Sequence, residues 1–391
     1  MKMLVVAHDS NFSGGANRSL YMVLTKLKNE YGVEIEVLLP KKTGQLNEKL
    51  TQAGIPWFSH TYFGVVSGIR NDGKDILRYG KVYIGYLIEK TLAYRLKKKL
   101  AARGYDLVYT NTRLPFVGAQ IARLLHIPHV CHVREFGTTK PLWGFWDYNA
   151  MYEMSDRIIC ISQALKDKFT EYVPEDKLVV IHNGIDSPLG LPCDFDRQKE
   201  TFDMILTGRL VPDKGHEDAI KAMKRLSDKG YHNIKLHIVG SSPSRTHIEW
   251  YAQKIRQLVS QLGLDGNVIF RGEIHDMISI RKEMDVELMC AICETFGRVT
   301  VEGMRSGLTL IGSNTGGTLE IIQDGKTGLL YEQGNEKDLA DKIELLYNNA
   351  DYRKELAKNG YDYAQDHFTP DSNVSSIYTV LSEVVSGEQK W

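Results

Sequence analysis

Residues 285–324, DVELMCAICETFGRVTVEGMRSGLTLIGSNTGGTLEIIQD, hold two short apolar runs, each leading through a polar turn into a helical segment. The run 286–292 is short and nearly uncharged, the pattern of a strand buried on both faces. Glu294-Thr-Phe-Gly297 makes the first turn, and the spacing predicts a helix from there to Ser306. Gly307 stops that helix, because glycine takes the left-handed backbone that helix ends require. The run 308–312 predicts a second strand, and 313–317 a second turn opening on another helix. Strand, turn and helix, repeated, is the unit of a parallel α/β sheet.

The acidic residues of this stretch fall at chemically useful places. Glu294 lies in the turn before the first helix, and Glu302 lies inside it. The N–H groups of Thr295, Phe296, Gly297 and Arg298 lie where a helix start lacks intrahelical acceptors and where the dipole is positive. This is an anion cradle with a carboxylate on either side. A carboxylate can also accept hydrogen bonds from two adjacent ribose hydroxyls. The plain alternative is that Glu294 only complements the helix dipole; spacing alone leaves both readings open.

The segment ETFGRVTVEGMRSGLTLIGSNTGG resembles the signature of the retaining glycosyltransferases of family 4, and the likeness runs through nearly the whole chain. In that family two glutamates stand eight positions apart, as Glu294 and Glu302 do. The resemblance implies an α/β protein of the GT-B fold. Its two Rossmann-like parallel-sheet domains would face each other across a cleft, and a C-terminal helix would cross back to the N-terminal domain. Three details depart from the family pattern. Gly303 stands where alanine is frequent, at a cost of roughly 1 kcal/mol in a helix interior. Leu308-Thr309 lacks the usual proline, and Ala291 replaces a common serine. None removes a charge.

Earlier in the chain, residues 3–7 predict a first strand, followed by a helix over 16–29. Gly14 and Gly15 at its head let backbone approach a ligand closely, although the spaced third glycine of a dinucleotide fingerprint is missing. Further strands are expected at 34–39, 55–59, 107–110, 129–133, 157–161 and 178–181, and helices at 44–53, 81–103 and 115–125, with Pro115 in the first turn of the last. Ser162 reads as the N-cap of another helix. His132 and Arg134 close the strand 129–133, at the edge where open α/β sheets bind ligands. Trp143 and its aromatic neighbours would line an acceptor pocket or simply pack. In the second half, Arg209 and Lys214 border a glycine-flanked loop before a helix, which suits a diphosphate leaving group. The resemblance adds roles for these residues. It places Gly14 and Gly15 near the donor phosphates, turns His132 toward the transferred sugar, puts Arg209 and Lys214 on the donor diphosphate, and gives weaker donor contacts at Gly240 and Arg271.

At 391 residues the chain suits two domains, and a composition 42% hydrophobic and 25% charged is that of an ordinary soluble protein. No apolar run reaches membrane-spanning length, and the N-terminus turns polar too early for a signal peptide. Most of the cysteines fall inside predicted strands, the usual place for buried free thiols of a reducing compartment; Cys290 and Cys293 lack the second pair a zinc site needs. Asp194-Phe-Asp196 has the acid-x-acid form of metal-dependent transferases, but it lies in an expected linker and reads as coincidence. Net charge is zero, yet residues 66–103 carry ten basic against three acidic side chains. Within them the helix 81–103 has an apolar face of Val82, Ile84, Leu87, Ile88, Leu92, Leu96 and Leu100. It reads as a core helix with a basic back, or as a contact with anionic lipid.

Together these observations predict an N-terminal acceptor-side domain over 1–186, a linker over 187–200, a nucleotide-sugar domain over 201–369 and a crossover helix over 370–391. The expected activity is metal-independent, retaining transfer of a sugar from a nucleotide diphosphate-sugar to a glycan or lipid-linked acceptor, in bacterial surface-polysaccharide synthesis. His132, Glu294, Arg209 and Lys214 would serve catalysis, and the loop Glu294–Arg298 with Glu302 would hold the donor. Arg134 and Trp143 fall on the acceptor side. UDP- or GDP-sugars fit Glu302 better than dTDP-sugars. No separate cofactor, metal or nucleic acid is expected, and the protein would be cytoplasmic or peripheral on the inner face of the plasma membrane. A silent partner subunit and a nucleotide-sugar epimerase are the competing readings.

Overall fold

The structure is a computed structural model that describes residues 1–12, 15–62, 75–136, 152–171, 173–186, 200–242 and 249–387. Two compact units divide the chain: Met1–Gly184 with Pro370–Trp391, and Ile185–Thr369.

The first unit is built on seven parallel strands: β1 (Lys2–Val6), β2 (Glu34–Leu39), β3 (Trp57–Ser59), β4 (Leu107–Asn111), β5 (His129–Val133), β6 (Arg157–Cys160) and β7 (Leu178–Val180). Their spatial order is β3-β2-β1-β4-β5-β6-β7. Helices α1 (Gly15–Tyr31), α2 (Gln45–Gln52), α3 (Asp75–Ala101), α4 (Val117–Leu125) and α5 (Gln163–Phe169) connect them. A strand's side chains alternate between faces, so the unbroken apolar run of β1 feeds two cores. Met3 and Val5 pack with Leu20, Leu24 and Leu27 of α1, and with Val374, Ile377 and Leu381 from the far end of the chain. Leu4 and Val6 pack with Leu96 and Leu100 of α3 and with Val117 and Ile121 of α4. The expected Ser162 cap is formed, its hydroxyl accepting from the Leu165 N–H at 3.1 Å.

The second unit holds six parallel strands: β8 (Phe202–Thr207), β9 (Ile234–Val239), β10 (Val268–Gly272), β11 (Val286–Met289), β12 (Thr309–Ser313) and β13 (Leu329–Tyr331), in the order β10-β9-β8-β11-β12-β13. Helices α6 (His216–Asp228), α7 (Glu249–Gln261), α8 (Met277–Arg281), α9 (Arg298–Arg305), α10 (Thr318–Ile321), α11 (Glu336–Asn348) and α12 (Ala350–His367) surround it. The last helix, α13 (Pro370–Ser386), belongs to the first unit, where it lies along α1. Each sheet is Rossmann-like, with strand order reversing at one point, between β1 and β4 and between β8 and β11. The connections leaving the carboxyl ends of the two strands there run to opposite faces of their sheet, the place where open α/β sheets bind ligands.

Three sequence expectations need correction. The run 286–292 does not stay in the sheet to its end: β11 stops at Met289, and the Ile292 N–H turns to the Asp213 carbonyl at 3.0 Å. Helix α4 starts at Val117 rather than Pro115. Helix α3 spans Asp75–Ala101, and its presumed apolar face is only half used. Leu96 and Leu100 are buried, whereas Ile84, Leu87 and Ile88 are exposed, together with Tyr83 and Tyr94. The cause is length. Helix α4 has nine residues, about 13 Å at 1.5 Å per residue, and its head meets α3 where the buried Glu89 accepts the Val117 N–H. The half of α3 before that point extends beyond α4.

Leu381 is fully buried against the first sheet although it comes from the last helix. Replacing it with alanine is expected to destabilise the first unit by about 2–5 kcal/mol, read by urea unfolding.

Candidate functional site

The strand reversal in the second unit brings two loops together. The loop after β8 runs through Gly208 and Arg209 into a 3-10 turn, Pro212–Lys214, and the loop after β11 carries Cys293 and Glu294. Gly215 holds them in register. It has φ +67°, and a Cβ there would lie 1.8 Å from the Cys290 carbonyl oxygen, so only glycine lets the turn rest on the end of β11. With Ile292 bonded to Asp213, the Lys214 ammonium reaches the Glu294 carboxylate at 2.5 Å. Both side chains keep about a fifth of their surface exposed. Arg209 is exposed; its carbonyl accepts from the Val211 N–H at 2.9 Å, and no hydrogen bond or ion pair engages its side chain among the described residues.

The other side of the Glu294 turn is braced by Gly316 and Gly317. The Gly317 N–H donates to the Glu294 carbonyl at 2.8 Å. A Cβ on Gly316 would sit 2.2 Å from that same oxygen, and one on Gly317 would sit 2.7 Å from the Phe296 backbone. Behind the turn Phe296 is buried against Phe368, so its ring packs rather than facing solvent. Gly297, at φ +105°, caps α9, whose first turn begins at Arg298. Thr295 is half-buried beside them.

Glu302 lies one turn along α9, with a guanidinium at each oxygen. Arg298 Nη2 stands 3.5 Å from Oε1, and Arg281 Nη2 stands 3.6 Å from Oε2. Arg298 also reaches Asp186 at 3.7 Å. Arg281 is buried and forks onto Glu287, Nε to Oε2 at 2.9 Å and Nη2 to Oε1 at 3.1 Å. Glu287 is completely buried on β11; burial pushes its carboxyl pKa up, and Arg281 pulls it back. Sequence reading missed Arg281, Glu287 and Asp186 as members of this cluster. One signal was present: Glu287 is a charge in the middle of an otherwise apolar strand. Gly240 and Arg271 have local partners. Gly240 lies against the Gly208 carbonyl, and Arg271 donates from Nε to Nδ1 of His237 at 3.0 Å.

In the first unit, His132 is fully buried near the carboxyl end of β5. Its Nδ1 faces the Tyr109 hydroxyl and, at 3.4 Å, Arg134 Nη2. A guanidinium only donates, so Nδ1 accepts and Nε2 carries the proton. That Nε2–H has no partner among the described residues. Burial, reinforced by the Arg134 charge, holds the imidazole pKa well below its usual value, so the ring is neutral. Arg134 donates to Asn111 Oδ1 at 2.7 Å and Asn183 Oδ1 at 2.5 Å. Next to Asn111, Thr112 has φ +71°, a strained conformation for a β-branched residue of the kind that gathers at functional sites. Gly15 begins α1. Gly14, Trp143, Cys193, Asp194 and Asp196 fall outside the described residues. The structure thus brings together Lys214 with Glu294, Glu302 with Arg298, and His132 with Arg134.

Two family models match the chain: Glycosyltransferase Family 4 over residues 13–187 and Glycosyl transferases group 1 over 194–363. An uncharacterised glycosyltransferase of Methanocaldococcus jannaschii is 28% identical over 77% of this chain and 81% of its own. The capsular polysaccharide biosynthesis glycosyltransferase CapM of Staphylococcus aureus is 28% identical over 61% of this chain and 65% of its own. Among solved structures, Anabaena HepE in complex with UDP aligns with 98% of this chain and 100% of its own at a TM-score of 0.79 and 22% identity, which establishes a common fold.

A Cβ on Gly303 would lie 2.4 Å from Glu287 Oε2. Gly303→Ala should therefore lower stability by about 1–3 kcal/mol, the usual cost of overpacking. Helix propensity alone predicts a gain of about 1 kcal/mol. Urea unfolding reads the sign.

Proposed function

The chain belongs to the family 4 glycosyltransferases, and on that premise we propose that it moves a sugar from a nucleotide diphosphate-sugar, with retention and without a metal ion, to a glycan or lipid-linked acceptor. The observation that carries this reading is the Lys214–Glu294 pair at the point of strand reversal, beside the start of α9 and an unengaged Arg209. Cleaving the bond between the anomeric carbon and the phosphate oxygen leaves the electron pair on the diphosphate, while the ring gains positive charge. Lys214, Arg209 and the amides after Glu294 stabilise the departing anion, each such donor being worth about 2.7–4 kcal/mol. Glu302 accepts the ribose hydroxyls, which favours UDP- or GDP-sugars over dTDP-sugars. Glu294 orients the sugar; in the first unit the Nε2–H of neutral His132 is the candidate for a sugar contact and Arg134 for the acceptor. No residue is assigned as a covalent nucleophile; the acceptor hydroxyl attacks from the leaving-group face and passes its proton to the departing phosphate.

The naming of CapM for capsular polysaccharide and the UDP bound by HepE support a nucleotide-sugar donor and a surface-glycan product. The reading keeps 1–186 as the acceptor-side domain, 187–200 as linker, 201–369 as the donor domain and 370–391 as the returning helix. Among the described residues no helix is long and apolar enough to cross a membrane. The exposed Tyr83, Ile84, Leu87, Ile88 and Tyr94, with the Lys97–Lys99 run on the same helix, suit a peripheral seat on anionic lipid at the inner membrane face.

Incubating the protein with a panel of nucleotide sugars and acceptor extracts should release nucleotide in the presence of EDTA, with an axial or equatorial product linkage matching that of the donor. Lys214→Ala and Glu294→Ala should each lower kcat about 10²–10³-fold. Interconversion of the donor alone would identify an epimerase, and no turnover with any acceptor would identify a binding subunit. For the membrane seat, Ile84→Asp with Leu87→Asp should abolish sedimentation with phosphatidylserine vesicles while leaving nucleotide release from a soluble acceptor intact.

A further inference from the structure

The five charges Glu287, Arg281, Glu302, Arg298 and Asp186 alternate in sign along one chain of contacts, from the buried middle of β11 to the surface. Arg281 is its hinge. Two of its nitrogens are fixed by the fork onto Glu287, and Nη2 also faces Glu302. A buried pair of this kind contributes little net stability, because desolvating both ions offsets their attraction. Here it also forces a glycine into α9, since any side chain at position 303 would meet the Glu287 carboxylate. Two features unfavourable to stability therefore converge on one outcome, a guanidinium held rigid beneath a partly exposed carboxylate.

We propose that Arg281 is a positioning residue for donor binding. Clamped by Glu287, it fixes the rotamer of Glu302 so that both carboxylate oxygens meet the ribose hydroxyls of the nucleotide. The inference rests on the reading of Glu302 as the ribose acceptor and adds a residue that touches no substrate. It also gives a reason for Gly303: the helix gives way to the residue that clamps the clamp. Arg298, one turn before Glu302 on the same helix, supports the second oxygen from the solvent side. Removing Arg281 thus leaves Glu302 charged and paired but free to rotate.

The test uses the full chain with UDP, and with GDP as the second probe, by titration calorimetry. Removing both members of the buried pair, Arg281→Met with Glu287→Leu, avoids stranding an unpaired charge. This double variant should melt at or above the wild-type temperature and bind the preferred nucleotide about tenfold more weakly. It should raise KM for the donor by the same factor and change kcat less than threefold. The 2′,3′-dideoxy form of that nucleotide should bind the wild type and the double variant equally. A purely structural role for the pair would lower melting temperature and weaken both forms alike, and that overturns the proposal. Glu302→Gln separates the two levels: if it leaves ribonucleotide affinity unchanged, the ribose reading itself falls and the proposal with it. If Glu302→Gln weakens binding but the double variant does not, only the role of Arg281 is rejected.

Discussion

The reversal of strand order between β8 and β11 is the constraint on which the second unit's chemistry depends. Parallel neighbours cannot both continue into helices on the same side there, so the chain leaves β8 and β11 toward opposite faces of the sheet. Two glycines then decide what the loops between carry. Gly215 presses the Lys214 turn onto the end of β11, and Gly316 presses the next loop onto the Glu294 carbonyl. Neither position has room for a Cβ, and the lysine and glutamate meet as a consequence of backbone packing. Their contact does not depend on long side chains finding each other in solution.

Around this contact the charges are arranged by burial. Lys214, Glu294 and Glu302 are partly exposed, where they can exchange an internal partner for a ligand. Arg281 and Glu287 are buried, where exchange is prohibitive and the pair acts as a fixed support. In the first unit both members of the cluster, His132 and Arg134, are buried. Arg134 is locked between Asn111 and Asn183; burial, reinforced by its charge, keeps His132 neutral, and its guanidinium makes one ring nitrogen an acceptor and leaves the other as a donor.

Much of this was legible in the sequence because the signals are local. The apolar runs of β1, β8 and β11, the Gly307 stop at φ +74° and the Ser162 cap each follow from residues within a few positions of one another. The fold is GT-B, as the resemblance implied: two parallel-sheet Rossmann-like units, with the final helix returned to the first. What escaped depends on partners distant in sequence. Met289 ends β11 because Asp213 captures Ile292, and no periodicity encodes that. Ile84, Leu87 and Ile88 fit a helical apolar face, but whether the face is covered depends on the length of α4. The departure at Gly303 was visible as an anomaly, while its cause, a carboxylate on the neighbouring strand, required the coordinates.

A structure of the protein with an intact nucleotide diphosphate-sugar addresses the central claim directly. The account predicts a phosphate oxygen within about 3 Å of Lys214 Nζ and of the first amides of α9, with the ribose on Glu302. A donor whose phosphates lie elsewhere, leaving the Lys214–Glu294 pair untouched by the ligand, would contradict it.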